Sequence, residues 1–345
     1  MIRRNRMDSI RAFFALALLA WHAPAPAQTF SEFPLPNNGS GPISMVSGPD
    51  GALWFTEYFA NAIGRCTVSG EITEFPLPPP QRGLWGIAVG PDGNIWFTES
   101  APGSAGIGRI TLQGELAEFP LPDPNTFATR IVAGPDGALW FTENTSRLGR
   151  ITTAGVISEF EVPSAFSLVD LGGITVGPDG NLWFVIKNRG LASITPLGEI
   201  EEHGGPAGGD DLVTGPDGAL WGASFGIPNG TVFRFSLSGE TSRFTLRTPL
   251  RIAVGPDGNI WVTEVGYRSP RPPPIAPPPI PGGIVRITMT GQITDFHLPN
   301  PDAAPTGIVT GPDGSIWFTQ FFGGSIVRLS HIPRPPRPTR QVSFR

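Results

Sequence analysis

The chain has 345 residues, of which 45 are Gly and 40 Pro, about a quarter of the total. Charged residues make up 15%, the formal net charge is −5, and there is one Lys (Lys187), one Cys (Cys66) and four His. The repeat region has no basic stripe for nucleic acid, a single Cys forms neither an intramolecular disulfide nor a Cys-based metal site, and a multi-His centre is hard to assemble. The Gly and Pro content alone would suit low complexity, but 39% hydrophobic residues, nine Trp and 23 Phe do not.

Residues 1–27 have the layout of a secretory signal peptide. Arg3, Arg4, Arg6 and Arg11 form a positive start, Ala12 to Trp21 is an apolar stretch too short to span a bilayer, and Ala25-Pro26-Ala27 is a small-x-small cleavage site. This predicts a secreted or periplasmic protein with no membrane span. The first predicted strand follows directly, at residues 30–36 (Phe-Ser-Glu-Phe-Pro-Leu-Pro).

From Gly48 onward the Gly and Pro become periodic. Gly-Pro-Asp-Gly starts at Gly48, Gly90, Gly134, Gly177, Gly215, Gly255 and Gly311, with spacings of 42, 44, 43, 38, 40 and 56 residues. Each copy is followed by x-[Leu/Ile]-Trp, which places Trp54, Trp96, Trp140, Trp183, Trp221, Trp261 and Trp317. Repeats of roughly 40–45 residues built of short strands are the signature of a β-propeller.

The second repeat shows the pattern. Residues 87–89 form strand A, and Gly90-Pro91-Asp92-Gly93 is a tight turn, with Pro fixing φ and Gly accepting φ > 0. Residues 94–99 form strand B, residues 107–111 strand C and residues 116–119 strand D, which Pro120-Leu121-Pro122 ends. Burying one Trp removes roughly 150–250 Å² from water, on the order of 4–6 kcal/mol before entropy. The last repeat has a strand C (residues 326–329) but no strand D, and residues 30–36 match residues 72–78. The predicted fold is therefore all-β: a seven-bladed propeller of four-stranded blades over residues 28–331, with the N-terminal strand completing blade seven and hiding its edge.

Two segments depart from the pattern. Residues 269–281 are a Pro-rich insertion between strands B and C of blade six, and residues 332–345 are a Pro/Arg-rich tail. Both read as extended, polyproline-like chain.

Strand alternation puts the Gly-Pro-Asp-Gly turns and the C–D turns on one rim, and the D–A and B–C connections on the other. The first rim hardly varies between repeats, so its Asp residues are read as turn chemistry rather than calcium ligands. The second rim varies, as binding loops do. Strand B ends there in Glu57, Glu99, Glu143 and Glu264, with Ile186, Ser224 and Gln320 in the other blades. Five residues before each turn Gly stand Ile43, Trp85, Thr129, Gly172, Asp210, Leu250 and Thr306, and Arg130, Asp211 and Arg251 follow in three blades. Tyr58, Tyr267 and Lys187 lie on the same rim. Candidate binding residues are Glu57, Tyr58, Trp85, Glu99, Arg130, Glu143, Asp210, Arg251, Glu264 and Tyr267. The glutamates are read in two ways: as carboxylates holding a polar ligand or a cation, or as a repeat-wide residue closing strand B or pairing with Arg. His203, His297 and His331 occupy outer-strand positions, and Cys66 takes a slot filled elsewhere by Ile, so it should be a small buried hydrophobe.

The repeated Gly-Pro-Asp-Gly-x-[Leu/Ile]-Trp-Phe-Thr-Glu, followed by Ile-Gly-Arg-Ile-Thr-x-x-Gly-x-Ile-x-Glu-Phe-Pro-Leu-Pro, resembles the virginiamycin B lyase (streptogramin lyase) family over residues 30–331. The resemblance implies a seven-bladed propeller. It also implies a carbon–oxygen lyase that opens the ester ring of a cyclic depsipeptide by metal-assisted elimination. A His just before the Gly-Ile of a strand A would act as base, and acidic rim residues, including the strand-B Glu, would hold Mg²⁺. Here that His slot holds Trp85, Leu250, Thr306 or the other residues named above, and a second family His would fall near Ala60, Pro102, Ser146 or Tyr267; none is His. The sequence thus leads to an exported, monomeric propeller that binds a small molecule or a protein partner on the D–A/B–C rim. The alternatives are a metal-assisted lyase and an interaction scaffold that uses the insertion and tail.

Overall fold

The computed structural model describes residues 28–163, 170–227, 229–267 and 279–332. The expected signal peptide, most of the Pro-rich insertion and nearly all of the tail lie outside the described residues.

The strand β1 (Thr29–Pro34) comes first and belongs to the last blade. Blade one is β2 (Pro42–Ser47), β3 (Leu53–Glu57), β4 (Ala62–Cys66) and β5 (Ile72–Pro76). Blade two is β6 (Leu84–Val89), β7 (Ile95–Glu99), β8 (Gly106–Ile110) and β9 (Leu116–Pro120). Blade three is β10 (Ala128–Ala133), β11 (Ala138–Glu143), β12 (Arg147–Thr152) and β13 (Ile157–Glu161). Blade four is β14 (Leu171–Val176), β15 (Leu182–Ile186), β16 (Gly190–Ile194) and β17 (Ile200–Gly204). Blade five is β18 (Asp211–Thr214), β19 (Leu220–Ser224), β20 (Gly230–Phe235) and β21 (Thr241–Leu246). Blade six is β22 (Pro249–Val254), β23 (Ile260–Glu264), β24 (Gly283–Ile287) and β25 (Ile293–His297). Blade seven is β26 (Pro305–Thr310), β27 (Ile316–Gln320), β28 (Ser325–Ser330) and, on its outer edge, β1.

All seven sheets are antiparallel and four-stranded, as the repeat count predicts. β1 pairs with β28 from Thr29↔Ser330 to Pro34↔Ser325, so the first strand closes the ring.

One side-chain sandwich recurs in the blades and explains the repeat motif. In blade one Asp50 Oδ1 accepts the Ala52 N–H (3.2 Å) and the Trp54 Nε1–H (3.1 Å). The equivalent Asp–Trp bond is 2.9–3.1 Å in the other six blades. The turn Asp is thus the hydrogen-bond partner that a buried indole needs. The Trp also stacks on the aromatic residue of strand D, as Trp54 does on Phe75 at 5.5 Å and 9°. An Arg of strand C lies over the Trp and pairs with the same Asp, as Arg65 does at 2.7 Å. Burial raises the Asp50 carboxyl, but hydrogen bonds from Arg65 and Trp54 outweigh it and hold the pKa below the ordinary value. Blade four departs from the pattern: Ser193 replaces the Arg, and His203 stacks on Trp183 at 4.2 Å while bonding Ser193 Oγ at 2.8 Å.

Each Trp packs into the neighbouring blade, which makes the core a set of seams. Trp54 meets Ile95 and Phe97, Trp96 meets Leu139 and Phe141, and Trp317 meets Leu53 and Phe55 of blade one. Cys66 is fully buried in that last seam, and burial pushes its thiol up to about 11.

Candidate functional site

Six of the seven innermost strands carry a register irregularity at the same place. The break falls between Pro42 and Met45, Leu84 and Ile87, Ala128 and Ile131, Leu171 and Ile174, Pro249 and Arg251, and Pro305 and Ile308. Such bulges re-aim side chains. In blade six the break falls at Leu250, and in the other five of these blades it takes in the position one residue later, four residues ahead of the turn Gly, which lines the central channel. Three of the seven residues at this position are Gly, because neighbouring strands approach closely; a Cβ on Gly86 would sit 2.6 Å from the Thr129 carbonyl oxygen. The others are Ser44, Arg130, Asp211 and Arg251, which share a cavity of about 110 Å³ with apolar residues such as Ile87, Ile131 and Ile308.

Arg251 is 5% exposed and donates from Nη2 to Ser44 Oγ at 3.3 Å. Its Nε and Nη1 are buried without a partner, as is Nη1 of Arg130. Arg130 spends its Nε and Nη2 on the Asp210 carbonyl oxygen, the former at 2.9 Å, and its Nε lies 3.8 Å from Asp211 Oδ1. Asp211 Oδ2 accepts the Ile252 N–H at 3.1 Å. Burial raises the Asp211 carboxyl to about 6 against the lowering effect of Arg130.

Arg130 also lines a second hollow of about 110 Å³ on the D–A/B–C rim, with Trp85, Asp170, Lys187 and Asp210. Lys187 Nζ lies 2.9 Å from Asp170 Oδ2 and 3.7 Å from Asp210 Oδ1. Beside the hollow runs a row of aromatic rings in mutual contact. Trp85 meets Tyr58 at 6.2 Å, Tyr58 meets Phe59 at 5.3 Å, Phe59 meets Phe321 at 5.4 Å and Phe321 meets Phe322 at 5.0 Å. Phe59 is 58% and Phe322 72% exposed, an apolar strip of the kind that marks binding surfaces. Residue-by-residue reasoning missed Phe59, Phe321 and Phe322. The signal was present: both pairs, Tyr58-Phe59 and Phe321-Phe322, directly follow the residue that ends strand B.

The ten residues singled out in the sequence therefore fall into groups. Trp85, Arg130 and Asp210 meet at the hollow with Tyr58 against Trp85, and Arg251 stands in the adjoining channel. Tyr267 lies apart, between blades six and seven, in a groove of about 380 Å³ with Ile280, Pro301 and Phe322. Its backbone pairs with Ile280 through two 2.8 Å hydrogen bonds, which join the two ends of the Pro-rich insertion.

The strand-B glutamates lie within their own blades. Glu57, Glu99, Glu143 and Glu264 are at most 2% exposed, and each is associated with groups of its own sheet or the loops beside it. Arg247 donates to Glu264 from its backbone N–H (2.7 Å) and its Nε (2.8 Å). Arg82 stands between Glu99 at 3.9 Å and Glu118 at 2.9 Å. Burial raises Glu57, Glu99 and Glu143 to about 7, with Glu74, Glu118 and Glu159 respectively adding to the rise. Among the described residues no three His, Cys, Asp or Glu come together as a possible metal site. A divalent cation needs several such oxygens converging, so these residues do not fit a Mg²⁺ centre built on the strand-B glutamates. His203 and His297 lie on the outermost strands β17 and β25, and His331 follows β28 beside Thr29.

A seven-bladed propeller with its variable rim around the mouth of a narrow channel is the class of protein that this geometry defines. The chain belongs to the virginiamycin B lyase family, which it matches over residues 23–265. It is 35% identical to the virginiamycin B lyase of Nocardia farcinica over 130 residues, covering 36% of this chain and 37% of that protein. A 41-residue match to the virginiamycin B lyase of Saccharopolyspora erythraea is 44% identical and covers 12% of this chain and 14% of that protein. Both matches thus take in well under two thirds of these relatives' lengths. Among solved structures, virginiamycin B lyase from Staphylococcus aureus superposes with a TM-score of 0.76 at 32% identity, covering 89% of this chain and 100% of that one. A catalytically inactive variant of that lyase with quinupristin gives 0.75 at the same identity and coverage. Hydrazine synthase of Kuenenia stuttgartiensis shares the fold at 15% identity, with a TM-score of 0.65.

Proposed function

We propose that the protein is an exported binding propeller whose D–A/B–C rim holds a small amphipathic molecule, with its apolar body on the aromatic row and its polar end in the hollow beside Trp85. One observation carries this reading: a row of exposed and half-buried rings from Phe322 to Trp85 leads to a hollow that holds Arg130, Lys187, Asp170 and Asp210. An apolar surface ending in a few convergent polar groups is the usual make-up of a ligand site. Export rests on the sequence of residues 1–27, and the mature protein is proposed to act as a monomer.

A lyase reading rests on family membership. The positions expected to supply a His base hold other residues, and the glutamates expected to hold Mg²⁺ lie apart in separate blades. Binding without that elimination is therefore the reading the residues favour.

The test is a thermal-shift screen of small organic molecules on the mature protein, followed by titration monitored by Trp fluorescence. A true ligand should lose at least ~10-fold in affinity in both Trp85→Leu and Lys187→Ala, the loss of about 1.4 kcal/mol of contact. A ligand that binds both variants as tightly as the wild type would place recognition elsewhere.

A further inference from the structure

The channel next to the hollow holds more positive charge than the fold uses. Two guanidinium groups, Arg130 and Arg251, face one cavity of about 110 Å³. Three of their nitrogens are buried without a hydrogen-bond partner: Nε and Nη1 of Arg251 and Nη1 of Arg130. Buried donors on a cation are costly to leave unmet. The Arg residues that lie over the turn Asp each have a carboxylate within 4 Å, Arg65, Arg150 and Arg234 at 2.6–2.7 Å and Arg109, Arg286 and Arg328 at 3.6–3.9 Å, although the last three also keep a buried Nε without a partner. Arg251 has only the Ser44 hydroxyl at 3.3 Å.

Water can fill a polar cavity of this size, but it satisfies hydrogen bonds without neutralising charge. The carboxylate that lines the cavity, Asp211, is engaged by the Ile252 N–H and stands 3.8 Å from Arg130. Of the charged side chains lining the cavity two are cations and one is an anion; Asp210 acts on Arg130 from the rim side, so Arg251 is the cation with no carboxylate paired to it among the described residues. The free Nε–H and Nη1–H of Arg251 lie on different edges of its guanidinium, so a carboxylate takes single charge-assisted hydrogen bonds here, one oxygen to Arg251 and the other to Arg130 Nη1. Ile87, Ile131 and Ile308 line the same cavity and can pack against a short apolar group.

We propose that the central channel is a carboxylate-binding site, in which the free donors of Arg251 and Arg130 take the oxygens of a monoanionic ligand. Arg130 lines both the channel and the rim hollow, so a ligand lying on the rim can place its carboxylate between the two guanidiniums. This deepens the binding function proposed above by naming the charged group it recognises, and for its use on the rim it rests on that reading.

Sodium acetate is the probe, because it has the carboxylate but no apolar body to lie on the aromatic row. It is titrated at constant ionic strength and neutral pH, with binding read by thermal shift and by line broadening of ¹³C-labelled acetate. Acetate should bind saturably, more tightly than phosphate or sulfate. Arg251→Gln and Arg130→Gln should each weaken it by at least ~10-fold, and Arg251→Lys, which keeps the charge but loses the fixed guanidinium N–H directions, by severalfold. No saturable binding to the wild type would overturn the proposal without recourse to any variant. Tighter binding of phosphate or sulfate would overturn the carboxylate assignment, and wild-type affinity in both Gln variants would remove the site from the channel. Loss of the rim reading through the Trp85 experiment leaves the acetate result standing, and failure with acetate leaves the Trp85 result standing.

Discussion

Glu57 offers a direct measurement of what it costs to keep an acid inside a blade. Its side chain is fully buried, and neither carboxyl oxygen makes a hydrogen bond of ordinary geometry. Burial raises its pKa from 4.5 to about 7, the nearby Ser40 hydroxyl lowers it somewhat, and the Glu74 carboxylate raises it again. The folded protein therefore holds the proton more tightly than the unfolded chain. The neutral acid contributes stability that is fully present below pH 4.5 and is lost as the pH rises through about 7. The difference between the two pKa values corresponds to about 3 kcal/mol at alkaline pH. Glu57→Gln keeps the shape and removes the titration. Urea unfolding of the wild type and E57Q at pH 4 and 8.5 should give similar stabilities at the lower pH, with E57Q more stable by about 3 kcal/mol at the higher. Equal pH slopes for the two proteins, or an E57Q protein weaker than wild type at pH 8.5, would show that Glu57 is charged in the fold and that the account of its burial is wrong.

Four further changes address the sandwich and the closure. Asp92→Ala leaves the Trp96 indole N–H, now bonded at 3.0 Å, without its acceptor; unfolding by denaturant should show a loss of about 1–3 kcal/mol. Phe33→Ala removes the ring that β1 stacks on Trp317 at 5.5 Å, and calorimetry should register a loss of about 3 kcal/mol; a chain starting at Pro42, which lacks β1 altogether, should melt lower still. In blade four the double change Ser193→Arg with His203→Phe restores the residues found in the other sandwiches and should raise stability by about 0.5–2 kcal/mol, read as a higher melting temperature.

Much of the architecture was legible because the turn motif and the Trp recur at a near-constant spacing. The strand reading for residues 87–119 differs from β6 to β9 by no more than a few residues at any end, and the partnership of residues 30–36 with the last blade followed from a motif match. The role of the turn Asp was only half legible. Its capping of the turn is local, whereas its bond to an indole four residues on requires the hairpin to fold back. At the rim, Trp85 and Asp210 lie five residues and Arg130 four residues ahead of their turn Gly, and the three line one hollow. The strand-B glutamates marked a repeat position, but a repeat pattern does not say which way a side chain turns at the end of a strand. Their association with Glu74, Glu118 and Glu159, four sequence-distant acids of the outer strands counting Asp295 beside Arg247, is set by sheet pairing.

The clasp between β1 and β28 also sets an order of events during synthesis. Thr29 and Ser330 meet across 301 positions of sequence, so the first strand made has no partner until almost the last is finished. Blades one to six use only strands that are contiguous in the chain and can assemble as they emerge. The circle itself closes late, through β1 on β28 and the seam of Trp317 against Leu53 and Phe55, contacts of very high contact order, which makes that step the slow one. Until then both the leading strand and the edge of β28 stay open, and a second molecule can insert its own β1 there; conditions that stall closure should therefore yield strand-swapped dimers rather than unfolded monomers.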